Sequence, residues 1–557
     1  MRASPLARIL LVYGAALALV CLLVAHLFAL GPPARPTVLA AVWSGGKLAA
    51  RMNVSAVGER TGELDRIAAG VTAPELVYET ISAESRVATK PDWLFALSLV
   101  PGRDGVEAQF RGQTAYVMPD DLLSRQGYDH GVNAESVGLA VGADVPLIFA
   151  ILSERLHASA RDVAREAVIR RVRVERTSAG RASPPRITGE TLTHAMVRDA
   201  ALDAAEYLAR GLDDEGRFRY MVSATDNRSL SGYDWPRHAG ATYFLAQAAA
   251  LSGNTDLRYA TLRAAAQLRD RGLVTCGEHR CIAQDDVAEI GSSALAVVAF
   301  VEIVRSGIDG SYRPLVADLT RFLRSQQRPD GEFMHQYDRR ARRPIDVQFV
   351  YFTGEATLAL ARAYGLSESR EDLDGAQRAL AHLVGPAWHF FGDRYYFGEE
   401  HWTCQAMADL ARVAPNAEAL DFCLRWQRYG RRLQHADGDS PQDADGAVGI
   451  DPVITPRLTP VASRCEAAVA TLDAVTRTGA GSGVADAERQ ALDRQTRRAL
   501  AFLLRHQFRP GPTHLFADPM AVHGAIPGSP VDFQLRIDYA QHAGSAMIRW
   551  LEVAPPP

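Results

Sequence analysis

The sequence predicts a mainly helical protein: an (α/α)6 toroid over residues 190–555, preceded by a small α/β domain over 60–177 and an N-terminal transmembrane helix. Three observations carry this. Apolar, alanine-rich segments recur six times after residue 190, each behind a more amphipathic segment. The stretch before them reads as short strands and turns. Residues 9–30 contain no Asp, Glu, Lys or Arg.

The N-terminal segment, "ILLVYGAALALVCLLVAHLFAL", is long enough as a helix to cross a hydrocarbon core of roughly 30 Å. Arg2 and Arg8 on its short side orient the N-terminus towards the cytoplasm. Residues 1–36 are therefore expected to be a signal-anchor and a stiff "GPPARP" linker. The expected location is the inner membrane, crossed once, with the C-terminal bulk periplasmic or extracellular. A cleaved signal peptide is the alternative, and it exports the same bulk. At 557 residues the chain exceeds one ordinary core. With a net charge of −4 and 23% charged residues it lacks the basic footprint of a nucleic-acid binder.

In the 60–177 domain, "WLFALSLVP" (93–101), "GVEAQF" (105–110) and "TAYVMP" (114–119) read as strands joined by turns at "GRDG" and "RGQ". "VIRRVRVERTS" (168–178) alternates apolar and basic residues, as a half-exposed strand does. This domain is where an envelope protein partner would dock. The Pro/Ser/Gly-rich "SAGRASPPRITGE" (178–190) separates it from the rest.

The six apolar segments are "RHAGATYFLAQ" from 237, "IGSSALAVVAF" from 290, "FTGEATLALAR" from 352, "WTCQAMADLAR" from 402, "SRCEAAVATLD" from 463 and "QHAGSAMIRWL" from 541. Their small residues suit close packing in an inner ring, covered outside by the amphipathic partners. Links from inner to outer helices are short ("LSGN", "VAPN"), whereas links from outer to inner are long and rich in aromatic and charged residues. The long loops thus gather at the N-terminal ends of the inner helices, where function is expected. In this register His238 matches His542, Cys404 matches Cys465 and Glu355 matches Glu466.

With the Asp-Gly-x-Phe type of turn in "DEGRF" (214–218) and "PDGEF" (329–333), the arrangement resembles the six-hairpin glycosidase-like superfamily. That superfamily holds glycoside hydrolases, polysaccharide lyases and sugar epimerases. The resemblance covers about residues 190–555 and implies a carbohydrate-active enzyme. No signature of a single family within it is matched, so no catalytic residue is carried over.

The candidate site is therefore read from the loops. Glycoside hydrolysis needs two carboxylates flanking the anomeric carbon. The catalytic candidates are Glu355 and Glu400, at the heads of inner helices in aromatic surroundings, with Asp234, Asp538 and His238. Tyr233, Tyr351 and Trp402 offer ring faces for sugar C–H surfaces, and Arg237, Arg464 and Arg536 offer guanidiniums for hydroxyls or uronates. Glu466, His401 and His542 complete the substrate-binding candidates. An acid at a helix head also serves as an N-terminal cap, and a histidine there as a structural residue.

In an exported chain, Cys276 and Cys281 of "CGEHRC" read as a disulfide clip. Cys404, Cys423 and Cys465 remain, an odd number, and the shared register of Cys404 and Cys465 makes those two the expected second bridge. Toroids of the lanthionine-cyclase type hold zinc on cysteines and a histidine, but "WTC…SRC" lacks their Cys-His-Gly element, so no metal or cofactor is expected. The expected function is a membrane-anchored, exported glycoside hydrolase acting on an envelope or extracellular polysaccharide. The alternatives are a lyase or uronate epimerase, with Tyr233, Tyr351 or a histidine exchanging a proton, and a non-catalytic glycan-binding or envelope assembly protein.

Overall fold

The computed structural model describes residues 29–134, 139–180, 185–385, 400–436, 443–449, 454–478, 483–509 and 513–554. Residues 9–28 of the predicted membrane segment, and most of the aromatic run 388–402, lie outside them. Among the described residues no helix is long and apolar enough to cross a membrane. The chain divides into two compact units: residues 1–184 with the short segments Pro452–Thr455 and Pro512–Ala517, and the remainder.

The first unit begins before residue 60. Strands β1 (Thr37–Ser44) and β2 (Lys47–Val54) join β3 (Glu75–Arg86), β4 (Asp104–Phe110) and β5 (Gln113–Val117) in one antiparallel sheet. A hairpin of β6 (Tyr128–Ala134) and β7 (Leu139–Ala143) stands apart from it, and β8 (Val168–Ser178) completes the six-stranded order β2-β1-β3-β8-β4-β5. The expected strand 93–101 is instead a helix, Asp92–Ser98. An unbroken apolar run fits either state, and Pro91 and Asp92 at its head are helix-start residues.

Strand β8 is half-exposed as expected and lies centrally in the sheet order, and its basic residues are spent on partners. Arg170 pairs with Glu84, Arg173 with Asp104 and Arg176 with Asp120, while buried Arg171 donates to the Ser98 carbonyl at 2.6 Å. From the far end of the chain, Thr513 donates to Glu75 at 2.6 Å and His514 lies 2.8 Å from Asp120 within this same unit.

Among the described residues of the second unit, twelve helices of more than ten residues alternate. The outer ones are α1 (His194–Arg210), α3 (Thr255–Gln267), α5 (Arg313–Ser325), α7 (Arg370–Val384), α9 (Ala417–Arg432) and α11 (Gly483–His506). The inner ones are α2 (Trp235–Ser252), α4 (Ile290–Arg305), α6 (Phe352–Ser367), α8 (Glu400–Leu410), α10 (Leu458–Thr478) and α12 (Ile537–Val553). Each inner helix packs on the next, and α12 returns to α2, so the ring closes. Residues 239–246 and 294–300 are buried all round, as a helix walled in on every side requires. Outer helices are amphipathic, with Val316, Leu319, Phe322 and Leu323 of α5 facing inward.

The turns after outer helices form a second repeat. Gly216 (φ +83°) and Gly331 (φ +94°) adopt a backbone conformation that favours glycine. A Cβ on them would lie 2.1 Å from the Arg263 carbonyl oxygen of α3 and 2.3 Å from that of Arg378 of α7. Gly446 and Gly524 repeat the device against α11 and α1. Each turn thereby locks onto a neighbouring outer helix.

Candidate active site

The two His-Ala-Gly motifs explain how the ring closes. A Cβ on Gly240 of α2 would meet the Gln541 side chain of α12 at 3.0 Å, and one on Gly544 would lie 2.0 Å from the Phe244 ring of α2. The glycines let the first and last inner helices approach closely. The two histidines do different things. His238 is fully buried, with Nδ1 accepting from the Tyr233 hydroxyl at 2.5 Å and Nε2 lying 2.8 Å from the Ala264 carbonyl of α3. Burial holds its pKa down at about 4, so it stays neutral. His542 instead lines a cavity of about 330 Å³ at the N-terminal ends of the inner helices.

All six inner helices contribute to that cavity. Its wall includes Asp234 and Arg237 at the head of α2, Glu289 before α4, Tyr351 and Glu355 at α6, and His401 and Trp402 on α8. Thr459 and Ser463 of α10, and Arg536, Asp538, Gln541 and His542 at α12, complete it. The helix starts are set locally. Asp234 caps α2 by accepting from the Arg237 amide at 2.9 Å, with Pro236 in the first turn. Glu289 is the N-cap position of α4 but makes no side-chain cap bond.

Both cavity arginines are engaged by carboxylates. Arg237 pairs with Asp234 and reaches Asp538 at 3.4 Å, and Arg536 grips Asp538 through two bonds of 2.6 and 2.8 Å. The Tyr220 hydroxyl donates to Asp234 at 2.7 Å. Burial opposes the charge on Asp538, but the Arg536 hydrogen bonds and both guanidiniums win and keep its pKa below the ordinary range.

Glu355 is different. It is 5% exposed, its Oε2 is buried without a hydrogen-bond partner, and burial pushes its pKa up to about 8, helped by the nearby charges of Asp234 and Glu289 against Arg237. The carboxyl is therefore protonated at neutral pH. Gly291 makes room for it, since a Cβ there would lie 2.5 Å from Glu355 Oε2 and from the Phe352 ring. Beside it, Tyr351 is 40% exposed at the cavity edge.

Adjoining these groups is a second constellation, with the Tyr351 ring 5.9 Å from that of His401. His542 Nδ1 lies 2.7 Å from Glu466 Oε2 on α10, and the His401 ring lies 5.3 Å from the His542 ring and 4.5 Å from that of Trp402. Burial works against protonated His542, but Glu466 raises its pKa overall. Glu466 is itself pushed up by burial.

The structure thus brings Asp234, Arg237, Tyr351, Glu355, His401, Trp402, Arg536, Asp538 and His542 to one cavity, with Glu466 directly behind His542. It does not bring Tyr233 or His238, which bond each other in the core, nor half-buried Arg464. The Glu400 side chain lies outside the described residues. Sequence reasoning missed Glu289, whose signal was its place directly before the apolar head of α4. Asp286, in the same loop, pairs with exposed Arg340 at 2.5 Å instead. The expected Cys404–Cys465 bridge is also corrected. Cys404 of α8 bonds Cys423 of its outer partner α9, and buried Cys465 is free, while Cys276–Cys281 forms the clip.

No family model and no curated protein matches the chain. Among solved structures it is similar to a D-mannose isomerase, at 11% identity over 67% of this chain and 100% of that one, TM-score 0.49. It is similar to cellobiose 2-epimerase from Bacillus thermoamylovorans, at 10% identity over 65% and 100%, TM-score 0.49. An α-1,6-mannanase from Salegentibacter is also similar, at 10% identity over 63% and 98%, TM-score 0.45. The likeness is one of fold, and the chemistry rests on this chain's own residues.

Proposed function

We propose that this chain is a carbohydrate-active enzyme, a glycoside hydrolase whose general acid is Glu355. The observation that carries the reading is a carboxyl on the cavity wall that burial keeps protonated at neutral pH, with one oxygen unpartnered. Protonating a glycosidic oxygen requires such a group. Asp234, which shares the wall, pairs with Arg237 and accepts from the Tyr220 hydroxyl, is the partner carboxylate. Tyr351 offers its exposed face to a sugar ring. Because Arg237 and Arg536 are already matched by Asp234 and Asp538, the wall favours a neutral saccharide over a uronate.

The test is product release from a panel of neutral and acidic envelope glycans. Glu355→Gln and Asp234→Asn should each abolish turnover while Glu355→Asp retains part of it. Turnover untouched in Glu355→Gln would overturn the assignment. A second reading is favoured by the pairing of His542 with Glu466 beside His401, which suits proton transfer at carbon, as in an epimerase, isomerase or lyase. Solvent deuterium incorporated at a ring carbon, or an unsaturated product, would select it. Anchoring through residues 9–30 with export of the bulk belongs to the same proposal. It is supported by the charge-free apolar run behind Arg2 and Arg8, and a C-terminal reporter active only in the cytoplasm would refute it.

A further inference from the structure

We propose that His401, Glu466 and His542 form a binding site for a divalent transition-metal ion of the zinc type on the cavity wall. The three residues come from three different inner helices, α8, α10 and α12, so the closed ring and not a local loop places them together. One ligand atom from each, an imidazole nitrogen or a carboxylate oxygen, lies within 4.8 Å of the other two. They are 3%, 1% and 12% exposed. A zinc ion with bonds of about 2.0–2.2 Å holds its neighbouring ligand atoms about 3.3 Å apart. Ligand atoms now up to 4.8 Å apart would therefore close by at most about 1.5 Å on loading.

A second observation points to a ligand. Glu466 Oε1 is buried without a hydrogen-bond partner, while Oε2 faces His542 Nδ1. An unpartnered carboxylate oxygen at this depth costs about 1–3 kcal/mol unless something compensates it. A cation does so directly.

The surroundings fit as well. Of the guanidiniums whose charge reaches Glu466, Arg549 pairs with Asp409 at 3.1 Å and Arg362 bonds Asp409 through Nε at 2.9 Å, with its Nη1 lacking a hydrogen-bond partner, while Arg237 is engaged with Asp234 and Asp538. The Trp402 ring packs 5.7 Å from the His542 ring and gives the site an apolar side. His401 and His542 both line the cavity, so the remaining coordination positions open into it. Two imidazoles and one carboxylate select zinc and its first-row neighbours over calcium and magnesium, which require oxygen-rich sites. On binding, the ion replaces the proton shared by His542 Nδ1 and Glu466 Oε2, which leaves to solvent. The site is separate from Glu355, and the inference stands whether or not that residue is the general acid.

The experiment uses the full chain in detergent, stripped with a chelator. Zinc is titrated by calorimetry, and cobalt(II) by its visible absorption. The expected result is one zinc per chain, and cobalt bands of four- or five-coordinate intensity that zinc abolishes. His401→Ala, His542→Ala and Glu466→Gln should each weaken zinc at least about 100-fold. Glu355→Gln and Asp234→Asn should leave it unchanged, which keeps this result apart from the hydrolase test. Circular dichroism confirms that each variant is folded. The cobalt spectrum of the parent tests the site even if Glu466→Gln does not fold. Absence of saturable binding, six-coordinate cobalt bands, zinc affinity unchanged across the three variants, or displacement of zinc by equimolar calcium would each overturn the proposal.

Discussion

Replacing Glu355 by Gln tests the physical basis of the site without any knowledge of the substrate. Unfolded, this carboxyl titrates near 4.5; folded, near 8. Between those values the native chain holds a proton that the unfolded chain has released, so stability falls as pH rises through the window. Each unit is about 1.4 kcal/mol, so the penalty approaches about 5 kcal/mol above pH 8, and relaxation around the ionised group brings it nearer to about 3 kcal/mol. The amide of Gln keeps the shape and removes the titration. The variant should therefore match the parent at pH 4.5 within about 1 kcal/mol and exceed it by about 3–5 kcal/mol at pH 8.5. Denaturant unfolding of the two proteins across that range measures the difference. A stability difference independent of pH, or a variant less stable at pH 8.5, would refute the claim that burial keeps this acid protonated.

Other outcomes follow from particular contacts. Gly331→Ala meets the Arg378 carbonyl in a left-handed backbone and should cost about 2–4 kcal/mol, whereas Gly310→Ala, with open space around it, should stay within about 0.5 kcal/mol by thermal melting. His238→Ala should lose about 1–3 kcal/mol of stability through its broken core hydrogen bonds. Because the folded pKa of His238 lies below the usual value of 6.5, its contribution is full above pH 6.5 and declines as pH falls towards 4, so the variant should show a flatter stability profile there than the parent. Denatured, unreduced chain should present a reactive thiol at Cys465 and none at Cys276, Cys281, Cys404 or Cys423. Cys404→Ser should lower stability by about 2–4 kcal/mol through loss of the bridge to Cys423, an effect absent from Cys465→Ser.

The toroid was legible because an inner helix walled in on all sides must be apolar throughout and small where neighbours touch. That composition recurs in the sequence at each of the six inner helices. Glu355 was legible because an acid inside "FTGEATLALAR" has no solvent face to serve. Register alone does not fix which way a helix is turned, and here the reading failed. His238 and His542 match in sequence, yet one is drawn outward by the Tyr233 hydroxyl and the Ala264 carbonyl and the other inward by Glu466. Cys404 and Cys465 share a register for the same reason without sharing a bond, since the sulfur of Cys404 faces the outer helix carrying Cys423, 5.8 Å away between Cα atoms. The helix at 92–98 was hidden because a short apolar run has no period to read.

Why Glu355 remains protonated where Asp538 does not can be argued from magnitudes. Six helix N-termini meet at the cavity, and each favours a nearby negative charge by about 0.3–1 kcal/mol, at most about 2. That acts on both acids alike. Asp538 adds a bidentate guanidinium and a second arginine, so its charge survives burial. Glu355 has only a longer-range attraction to Arg237, opposed by Asp234 and Glu289, and its raised pKa amounts to about 5 kcal/mol against the charged form. Desolvation therefore outweighs the helix dipole at this one position. Moving a guanidinium beside Glu355 would be enough to reverse it: burial is the largest cause of the raised pKa, and Arg237, already paired with Asp234 and Asp538, offsets only part of it.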